Sequence, residues 1–487
     1  MLTSISSVPW LTLLTFSPLI GVLLLLFVPK DRLPLIRTIG IATTILPVIL
    51  AVLVYADTQS GGQISALTEL FGWISIPLNL QTTNQQWGIT SWSFDIQYHM
   101  GIDGLSLPLV LMTTLIAAMA ALASLNITKR VKTYFILFLL LEVGMLGVFM
   151  ARDLFLFFIF FEWTLVPTFF LIGIWGFVNR EKAANRFLVY NGLGSALMLV
   201  AFAILTVTAG IHQPAGMEGT GHVVYSGNLN VIMEQLGSSS SLANNMFDPS
   251  MMYNVFYLSE EWRVAAFVML LIAFGIKLPI FPFHTWMLRV HTEAPIPVVM
   301  LHSGVLLKMG AYGLIQFGVA LLPAQAAAWT TTLAIFGIIN IVYGAALAFV
   351  QKEFRLVLAY SSISHMGFVL FGVSAMNEIG LQGAVLQMVS HGFISALFFL
   401  LVGSLIERTS TTRLQDLGGL AKRMPFISAL LLLAGMASLG LPGLSGFPAE
   451  LFSLLGVFET MPWAAIIGTL GLVLSAVYVL RAVLSIT

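Results

Sequence analysis

Long apolar stretches, separated by mostly short polar connections, make up most of this chain. A bilayer core about 30 Å thick needs roughly 20 residues of helix, and the windows predict about thirteen such spans. They lie near residues 8–28, 33–54, 104–125, 133–151, 153–176, 186–209, 262–282, 295–321, 327–350, 354–376, 381–406, 425–458 and 462–485. Because each helix satisfies its own backbone groups within lipid, the pattern predicts an all-α polytopic membrane protein.

Two of these spans carry helix-breaking residues. The 425–458 stretch is too long for one straight span, and Pro442 lies inside it between glycines. The 262–282 stretch ends with Pro279 and Pro282. Proline removes a helical hydrogen bond and clashes with the preceding turn. We therefore predict that the seventh and twelfth spans are interrupted helices.

The positions of these two breaks predict an internal repeat. Transporters built from inverted repeats place their working sites at paired broken helices. On this interpretation residues 1–130 hold spans one to three with an outer surface loop. Residues 131–325 hold a first five-helix unit, and residues 326–487 hold a second unit of opposite orientation.

Two long polar connections interrupt the apolar pattern. The first, 55–103, contains a strictly alternating stretch at 94–100, which predicts a short strand or hairpin on the membrane surface. The second, 210–261, is rich in Gly, Ser and Asn and predicts an irregular loop. The first apolar segment is expected to be a retained span, because no basic stretch precedes it.

The placement of the basic residues predicts the orientation. With the N-terminus outside, all but a few of the 21 lysines and arginines fall on the inner side. The exceptions are Arg152 and Arg263 outside, and Lys277 and Lys308 within spans. This asymmetry follows the positive-inside rule.

The amino-acid composition also argues against a soluble domain and limits the kinds of site that this protein can hold. The chain is 58% hydrophobic and 9% charged, against roughly 25% charged residues in a soluble domain. A net charge of zero gives no indication of a nucleic-acid partner. The absence of cysteine excludes disulfides, thiolate zinc sites and cysteine-ligated iron–sulfur clusters within this sequence.

Titratable residues at mid-membrane depth are the candidate functional groups. They are Glu142, Glu162, Lys277, Lys308, His365, His391 and Glu450. Each unpaired charge at that depth costs roughly 2.5–3.5 kcal/mol on insertion scales, so these groups should face one another or internal water. Carboxylate, amine and imidazole all exchange protons, and a neighbour can tune each of them. The set therefore predicts a proton path.

The same residues could instead have purely structural roles. Glu162 and Lys277 could form a static ion pair, and Lys308 a static partner. Glu142 could be a hydrogen-bonding group between helices or lie near a water cavity, and His365 could be a hydrogen bonder. A further cluster is expected to form hydrogen bonds at the seventh-span break and not a metal site: His284, His291 and His302.

Several motifs carry a resemblance to a known family. They are Arg152-Asp153-Leu154-Phe155, Phe161-Glu162-Trp163, Gly275-Ile276-Lys277-Leu278-Pro279, Leu306-Leu307-Lys308-Met309-Gly310, Ser364-His365-Met366-Gly367 and Ser390-His391-Gly392. Together they resemble the antiporter-like, proton-translocating subunits of respiratory complex I, specifically the chain M type of bacterial NADH–quinone oxidoreductase, which is the counterpart of mitochondrial chain 4. The resemblance runs from about residue 100 to 480. That family usually has a fourteenth span, and this sequence ends within or just after the thirteenth.

The resemblance implies roles for individual residues. Glu162 and Lys277 would be an interacting pair, and Lys308 would be the central relay. Glu450 would be the terminal group next to a neighbouring channel, and His391 would help connect Lys308 to it. A Glu at position 450 is similar to chain M, whereas the paralogous chains resemble it with a Lys there.

The resemblance also implies a setting. The chain would be a non-redox subunit of an NADH–quinone oxidoreductase that moves protons from the inner to the outer side, with no cofactor of its own. Its partners would be other membrane-arm subunits, including paralogous antiporter-like chains, together with the lipid bilayer and protons. A bacterial cytoplasmic membrane is expected first, and a thylakoid or organelle inner membrane second.

Three other functions are considered. A subunit of a multi-subunit sodium/proton antiporter resembles the same family and can also carry the twelfth-span Glu. A haem cytochrome would need pairs of histidines about thirteen or fourteen residues apart on each of two helices, and the eight histidines offer no such arrangement. A purely structural scaffold would tolerate Lys277→Ala without loss of pumping.

Overall fold

A computed structural model describes residues 8–59, 67–78, 91–212, 222–239, 241–246, 254 and 256–487. The helices are α1 (Trp10–Phe16), α2 (Pro18–Phe27), α3 (Leu33–Gln59), α4 (Ser106–Ala123), α5 (Val131–Met150), α6 (Leu154–Trp175), α7 (Arg180–Ala209), α8 (Leu229–Gly237), α9 (Glu260–Lys277), α10 (Thr285–Glu293), α11 (Ile296–Leu301), α12 (Leu307–Gly313), α13 (Pro323–Ala328), α14 (Thr330–Val350), α15 (Phe354–Ser374), α16 (Glu378–Thr409), α17 (Leu420–Arg423), α18 (Pro425–Ser438), α19 (Gly446–Thr460) and α20 (Pro462–Ile486). The strands are β1 (Thr68–Leu78), β2 (Ser91–Gly101), β3 (Ile211–His212) and β4 (His222–Ser226).

The helices confirm an all-α polytopic membrane protein. In the described part of the chain, 10 helices are long and apolar enough to cross a membrane, and α1 with α2, bent by 43°, make an eleventh. One span, Ile296–Val319, joins α11 and α12 through π-helical turns, and all of it except its two end residues is buried inside the bundle. The interrupted segments α9–α10 and α18–α19 lie where the seventh and twelfth spans are predicted. The exact number of spans and the division into two repeats stay predictions.

Both predicted interruptions are present. Helix α9 ends at Lys277, and α10 begins only at Thr285. The side chain of Asn340 on α14 accepts a hydrogen bond from the Phe281 backbone N–H at 2.8 Å and donates to the Pro279 carbonyl at 3.3 Å. Such side-chain bonds replace those that a broken helix loses within the membrane.

Two glycines with positive φ shape the twelfth-span break. Helix α18 ends at Ser438 and α19 begins at Gly446. Between them, Gly440 has a φ of +73° and Gly443 a φ of +97°. Only glycine adopts this region of backbone conformation without strain. The break therefore depends on these residues having no side chain.

A small sheet joins the two long polar connections. Strand β2 pairs antiparallel with β1 and parallel with β4, and β3 pairs antiparallel with β4. The strand predicted at 94–100 is confirmed within β2. The prediction of an irregular loop at 210–261 is wrong in part, because β3, β4 and α8 lie there. Strand β4 is only five residues long and gains its partner from a distant part of the sequence, which local pattern does not reveal.

Arg152 attaches this sheet to the helices. Its guanidinium forms an ion pair with Asp103 at 2.6 Å, and its backbone N–H donates to the His99 carbonyl at 2.8 Å. Burial alone would raise the pKa of Asp103, but the charge of Arg152 and hydrogen bonds from Ser106 hold that pKa below its usual value. A lowered carboxyl pKa stabilises the folded state above the unfolded-state pKa, and this contribution is lost as the pH falls through the folded-state pKa.

Arg152→Gln should therefore lower the free energy of unfolding at pH 7. We expect a loss of about 1 kcal/mol, because charge-assisted bonds contribute more than this but Asp103 is partly solvated. The difference from wild type should shrink as the pH falls below the ordinary Asp value of 3.8. Thermal unfolding of the purified complex at several pH values measures it. Arg186→Gln, at an exposed position of α7, is the matched control, and an equal effect of both variants would contradict the prediction.

Candidate functional site

Lys308 lies at the centre of the bundle. It is fully buried on α12, directly after a π-helical turn in which the Leu307 N–H reaches the His302 carbonyl. Single π turns of this kind occur frequently at functional sites. Its ammonium group donates to the Ser303 carbonyl, and its Nζ lies 2.8 Å from Nδ1 of His391 on α16. A lysine and an imidazole at this distance can share or exchange one proton.

His391 leads away from Lys308 towards α15. Its second nitrogen, Nε2, lies 3.2 Å from the hydroxyl of Ser362. That hydroxyl is also 3.4 Å from the hydroxyl of Ser303. The rings of His391 and His365 have centroids 5.4 Å apart. Since a serine hydroxyl both donates and accepts, Ser362 can relay hydrogen bonds beside the two imidazoles.

His365 joins this group to Glu450. Nδ1 of His365 lies 3.2 Å from Oε1 of Glu450, and Nε2 lies 3.2 Å from the Ser438 hydroxyl. The Gln387 amide also contacts Nδ1, at 3.1 Å. Neither oxygen of the Glu450 carboxylate has a hydrogen-bond partner among the described residues, so a proton on Nδ1 would need a small rotation of the ring to bond to it, whereas a proton on Nε2 would face Ser438. The imidazole can thus present its proton in either of two directions.

Two small cavities flank these histidines. Each has a volume of about 10 Å³, and His365, His391 and Ser438 line both. Glu450 lines the first, and Ser362 lines the second. This volume is near the lower limit for one water molecule, and the polar lining supplies the partners that a water molecule needs. The space between His391 and Glu450 is therefore suited to a hydrated connection.

Glu162 and Lys277, the interacting pair that the resemblance implies, do not contact each other directly. The carboxylate of Glu162 accepts a hydrogen bond from the Ser195 hydroxyl on α7. Nζ of Lys277 is buried, has no hydrogen-bond partner among the described residues, and lies 4.8 Å from the Phe161 ring centroid. Glu162 is still near enough to act on Lys277 electrostatically. The two groups thus interact through space, and their role as a pair stays a prediction.

Glu142 stands apart from the connected groups. It is fully buried on α5, and neither carboxylate oxygen has a hydrogen-bond partner among the residues that the structure describes. The expected hydrogen bond between helices is therefore not observed. The alternative of a position beside a water cavity stays open.

The histidines near the seventh-span break form hydrogen bonds, as predicted. His284 lies 3.3 Å from the Tyr343 hydroxyl, and His291 bonds directly to His302 at 3.0 Å. Sequence reasoning gave no role to Ser362, Ser438 or the other small polar residues around His365. The sequence feature that could have identified these residues is a set of hydroxyl side chains within otherwise apolar spans.

Comparisons with known proteins identify the family of this chain. Residues 151–475 match the family described as "NADH:quinone oxidoreductase/Mrp antiporter, TM". The chain belongs to this family. It is 39% identical over 485 residues to NAD(P)H-quinone oxidoreductase chain 4 1 of Picosynechococcus sp., covering 97% of this chain and 80% of the relative. It is 36% identical over 482 residues to the chloroplastic NAD(P)H-quinone oxidoreductase chain 4 of Mesostigma viride, covering 97% and 85%.

Solved structures show the same fold. A chain of respiratory complex I from Thermus thermophilus with bound NADH aligns with a TM-score of 0.78 at 29% identity, over 98% of this chain and 88% of that chain. A chain of an archaeal membrane-bound sulfane sulfur reductase aligns with a TM-score of 0.77 at 22% identity, over 98% and 70%, and shows the fold alone. These findings confirm the predicted complex I type and do not support the sodium/proton antiporter alternative.

Proposed function

We propose that this chain moves protons across the membrane along Lys308, His391, His365 and Glu450, as a non-redox subunit of an NADH–quinone oxidoreductase. The observation that carries the proposal is the run of contacts from the Lys308 ammonium to the Glu450 carboxylate. At one end, Nζ of Lys308 lies 2.8 Å from Nδ1 of His391. At the other end, Nδ1 of His365 lies 3.2 Å from Oε1 of Glu450. Every group on it can both take up and release a proton.

The proposed mechanism is electrostatic. A buried lysine releases its proton readily when no anion compensates its charge, and a nearby carboxylate reverses this preference. A change that moves the Glu162 charge would therefore change how firmly Lys277 holds its proton. A proton passed to Lys308 could continue through His391 and His365, and Glu450 would release it on the outer side.

The membrane setting is proposed from the same family relationship. Other subunits of the complex, including paralogous antiporter-like chains, would pack against this chain within the bilayer, and quinone reduction would occur elsewhere. We propose no cofactor in this chain and an N-terminus on the outer side. The named relatives are cyanobacterial and chloroplastic proteins, which favours a thylakoid or organelle membrane as an alternative to the bacterial cytoplasmic membrane.

The decisive experiment replaces the two groups at the proposed input. We expect Lys277→Ala and Glu162→Gln, each in the whole complex, to lower proton pumping several-fold, since a positioned proton-transfer group contributes about 10²–10⁴-fold and water can replace part of it. Proton uptake into vesicles and quinone reduction are measured separately. Tight coupling would lower both rates together.

Lys182→Ala is the matched control, because this lysine is exposed near the start of α7. It should pump at the wild-type rate. Wild-type pumping in both Lys277→Ala and Glu162→Gln would defeat the proposal and favour the scaffold function.

A further inference from the structure

The position of the Lys277 side chain depends on the backbone around it. Lys277 is the last residue of α9, and its Nζ has no hydrogen-bond partner among the described residues. The last carbonyl groups of a helix have no partner within that helix. Here the Trp286 ring N–H donates to the Ile276 carbonyl at 3.1 Å. The Ile280 backbone N–H donates to the Gly275 carbonyl at 2.8 Å. The residues that follow the break therefore determine where α9 ends.

One side chain from outside the broken segment holds the chain just after Lys277. Asn340 lies on α14 and is fully buried. Its amide accepts a hydrogen bond from the Phe281 N–H at 2.8 Å and donates one to the Pro279 carbonyl at 3.3 Å. These bonds fix both ends of a three-residue stretch that begins two positions after Lys277. A shift of this stretch would therefore be transmitted to the end of α9.

Helix α15 lies directly behind Asn340. A Cβ atom at Gly367 of α15 would lie 2.9 Å from Cβ of Asn340, so the two helices are in close contact at this level. The Ser364 hydroxyl also donates to the Ile341 carbonyl at 3.0 Å, which attaches α14 to α15 beside Asn340. Asn340 therefore fixes the chain after the break to a packed pair of helices, one of which carries His365.

The position of Lys277 matters because its interaction with Glu162 acts through space. A direct hydrogen bond would hold the two groups at one distance, but the Glu162 carboxylate bonds to Ser195 instead. The energy between two charges falls as the distance between them grows. Among the described residues, Glu162 and His302 are titratable groups within electrostatic range of Lys277. A displacement of the end of α9 therefore changes how firmly Lys277 holds its proton.

We propose that Asn340 is a positioning residue for proton transfer, which sets the distance between Lys277 and Glu162 by fixing the chain after the break. This inference rests on the proposed function and gives a part in it to α14, a helix that carries no group of the proton path. Asn340 itself neither takes up nor releases a proton. A purely structural asparagine would affect folding but not proton transfer from Lys277.

The first test uses Asn340→Leu in the whole complex, reconstituted into vesicles. Leucine has a similar shape but makes neither bond, so the Phe281 N–H and the Pro279 carbonyl must move to find other partners. Since a misplacement of about 1 Å can cost roughly 10²-fold in rate, we expect pumping per assembled complex to fall about tenfold. Asn340→Ala removes the same bonds without a branched side chain against α15 and should show the same loss. Wild-type pumping in both variants would overturn the positioning role.

Asn340→Asp tests whether the two bonds themselves are responsible. Apolar surroundings favour a neutral carboxyl group, which has nearly the shape of the amide and likewise supplies one donor and one acceptor. This variant should therefore keep most of the wild-type pumping rate. A loss as large as that of Asn340→Leu would contradict the proposal.

Tyr343→Phe is the matched control on the same helix. Tyr343 lies one turn further along α14, and its hydroxyl contacts His284, which lies beyond the break, at 3.3 Å. Phenylalanine keeps the ring and loses only this contact. The variant should pump close to the wild-type rate. If it loses as much pumping as Asn340→Leu, a general loosening of α14 explains the result and the positioning role is rejected.

The pH profile separates positioning from a structural role. A nearby opposite charge shifts a pKa by about 1–3 units, so a changed distance between Lys277 and Glu162 should shift the pH of half-maximal pumping by about one unit. This shift is expected in Asn340→Leu and not in Tyr343→Phe. Lowered pumping with an unchanged pH profile in Asn340→Leu would contradict the proposal.

A double variant tests whether Asn340 acts through Lys277. Residues that act through one another are not additive, so Asn340→Leu should lower pumping no further when Lys277→Ala is already present. A further tenfold loss would show that Asn340 acts elsewhere. Loss of pumping in Lys277→Ala with normal pumping in Asn340→Leu would overturn the positioning role alone. Normal pumping in Lys277→Ala and in Glu162→Gln would overturn the proposed function as well.

Discussion

Replacing Lys308 with methionine should abolish proton translocation without destabilising the bundle. Lys308 is the central group of the proposed path and bonds directly to His391, and Met cannot carry a proton. Burying a charge within the membrane costs roughly 2.5–3.5 kcal/mol on insertion scales, so removing it releases that cost. The lost bonds to the Ser303 carbonyl and to His391 offset the gain. Met has a similar length and fills the same volume, so no cavity should form.

Two measurements on the Lys308→Met complex check this result. Proton pumping into vesicles should fall to background, whereas thermal unfolding of the purified complex should match wild type. Lys308→Arg is an informative second variant, because arginine keeps the charge but does not release its proton. It should also fail to pump. Pumping by Lys308→Met above about a tenth of the wild-type rate would contradict the central role of this residue, since a positioned proton-transfer group contributes at least about 10²-fold.

Gly440→Ala should strongly reduce pumping by displacing the Glu450 carboxylate. A Cβ atom at Gly440 would lie 2.5 Å from Oε2 of Glu450, which is far closer than ordinary van der Waals contact. The carboxylate is the flexible end of its side chain, so it should move and lose its 3.2 Å contact with His365. A misplacement of about 1 Å can cost roughly 10²-fold in rate. We therefore expect pumping to fall by about tenfold or more.

Gly443→Ala provides the control for backbone strain. Gly443 lies in the same break with a φ of +97°, but a Cβ atom there would have no neighbour within 4 Å. Both alanine variants carry the cost of positive φ, about 1–2 kcal/mol, and only Gly440→Ala meets the carboxylate. Pumping and thermal unfolding of both complexes are compared. Equal losses of pumping in the two variants would show that strain, and not the position of Glu450, is responsible.

Local features of the fold could be predicted because their causes lie close together in the sequence. Pro279 and Pro282 follow the end of α9, and Pro442 lies among glycines after the end of α18. The single prolines Pro47 and Pro167 stay inside α3 and α6, so it is proline combined with a second proline or with glycines that marks a break. The alternation at 94–100 predicted a strand because its period of two is a local property. By contrast, β4 has few residues and depends on β2, more than a hundred residues earlier, for its hydrogen bonds.

The candidate site was predictable as a list of residues but not as a set of contacts. Depth in an apolar span identified Lys308, His391 and Glu450, because charge in lipid is costly wherever it occurs. Depth does not specify which groups meet. The resemblance implied that Glu162 and Lys277 interact, and only the structure shows that Glu162 bonds directly to Ser195.

By itself, the sequence determined the membrane class, the places where helices break and the residues that carry protonatable groups. Each of these depends on hydropathy or backbone chemistry within one segment. Only the tertiary structure decided that His391 bonds to Lys308, that His365 faces Glu450 and that His291 bonds to His302. These contacts join different segments, and the rotation of each helix within the bundle determines them. Hydrophobic periodicity is weak in spans that are apolar on every side, so the sequence pattern does not fix that rotation.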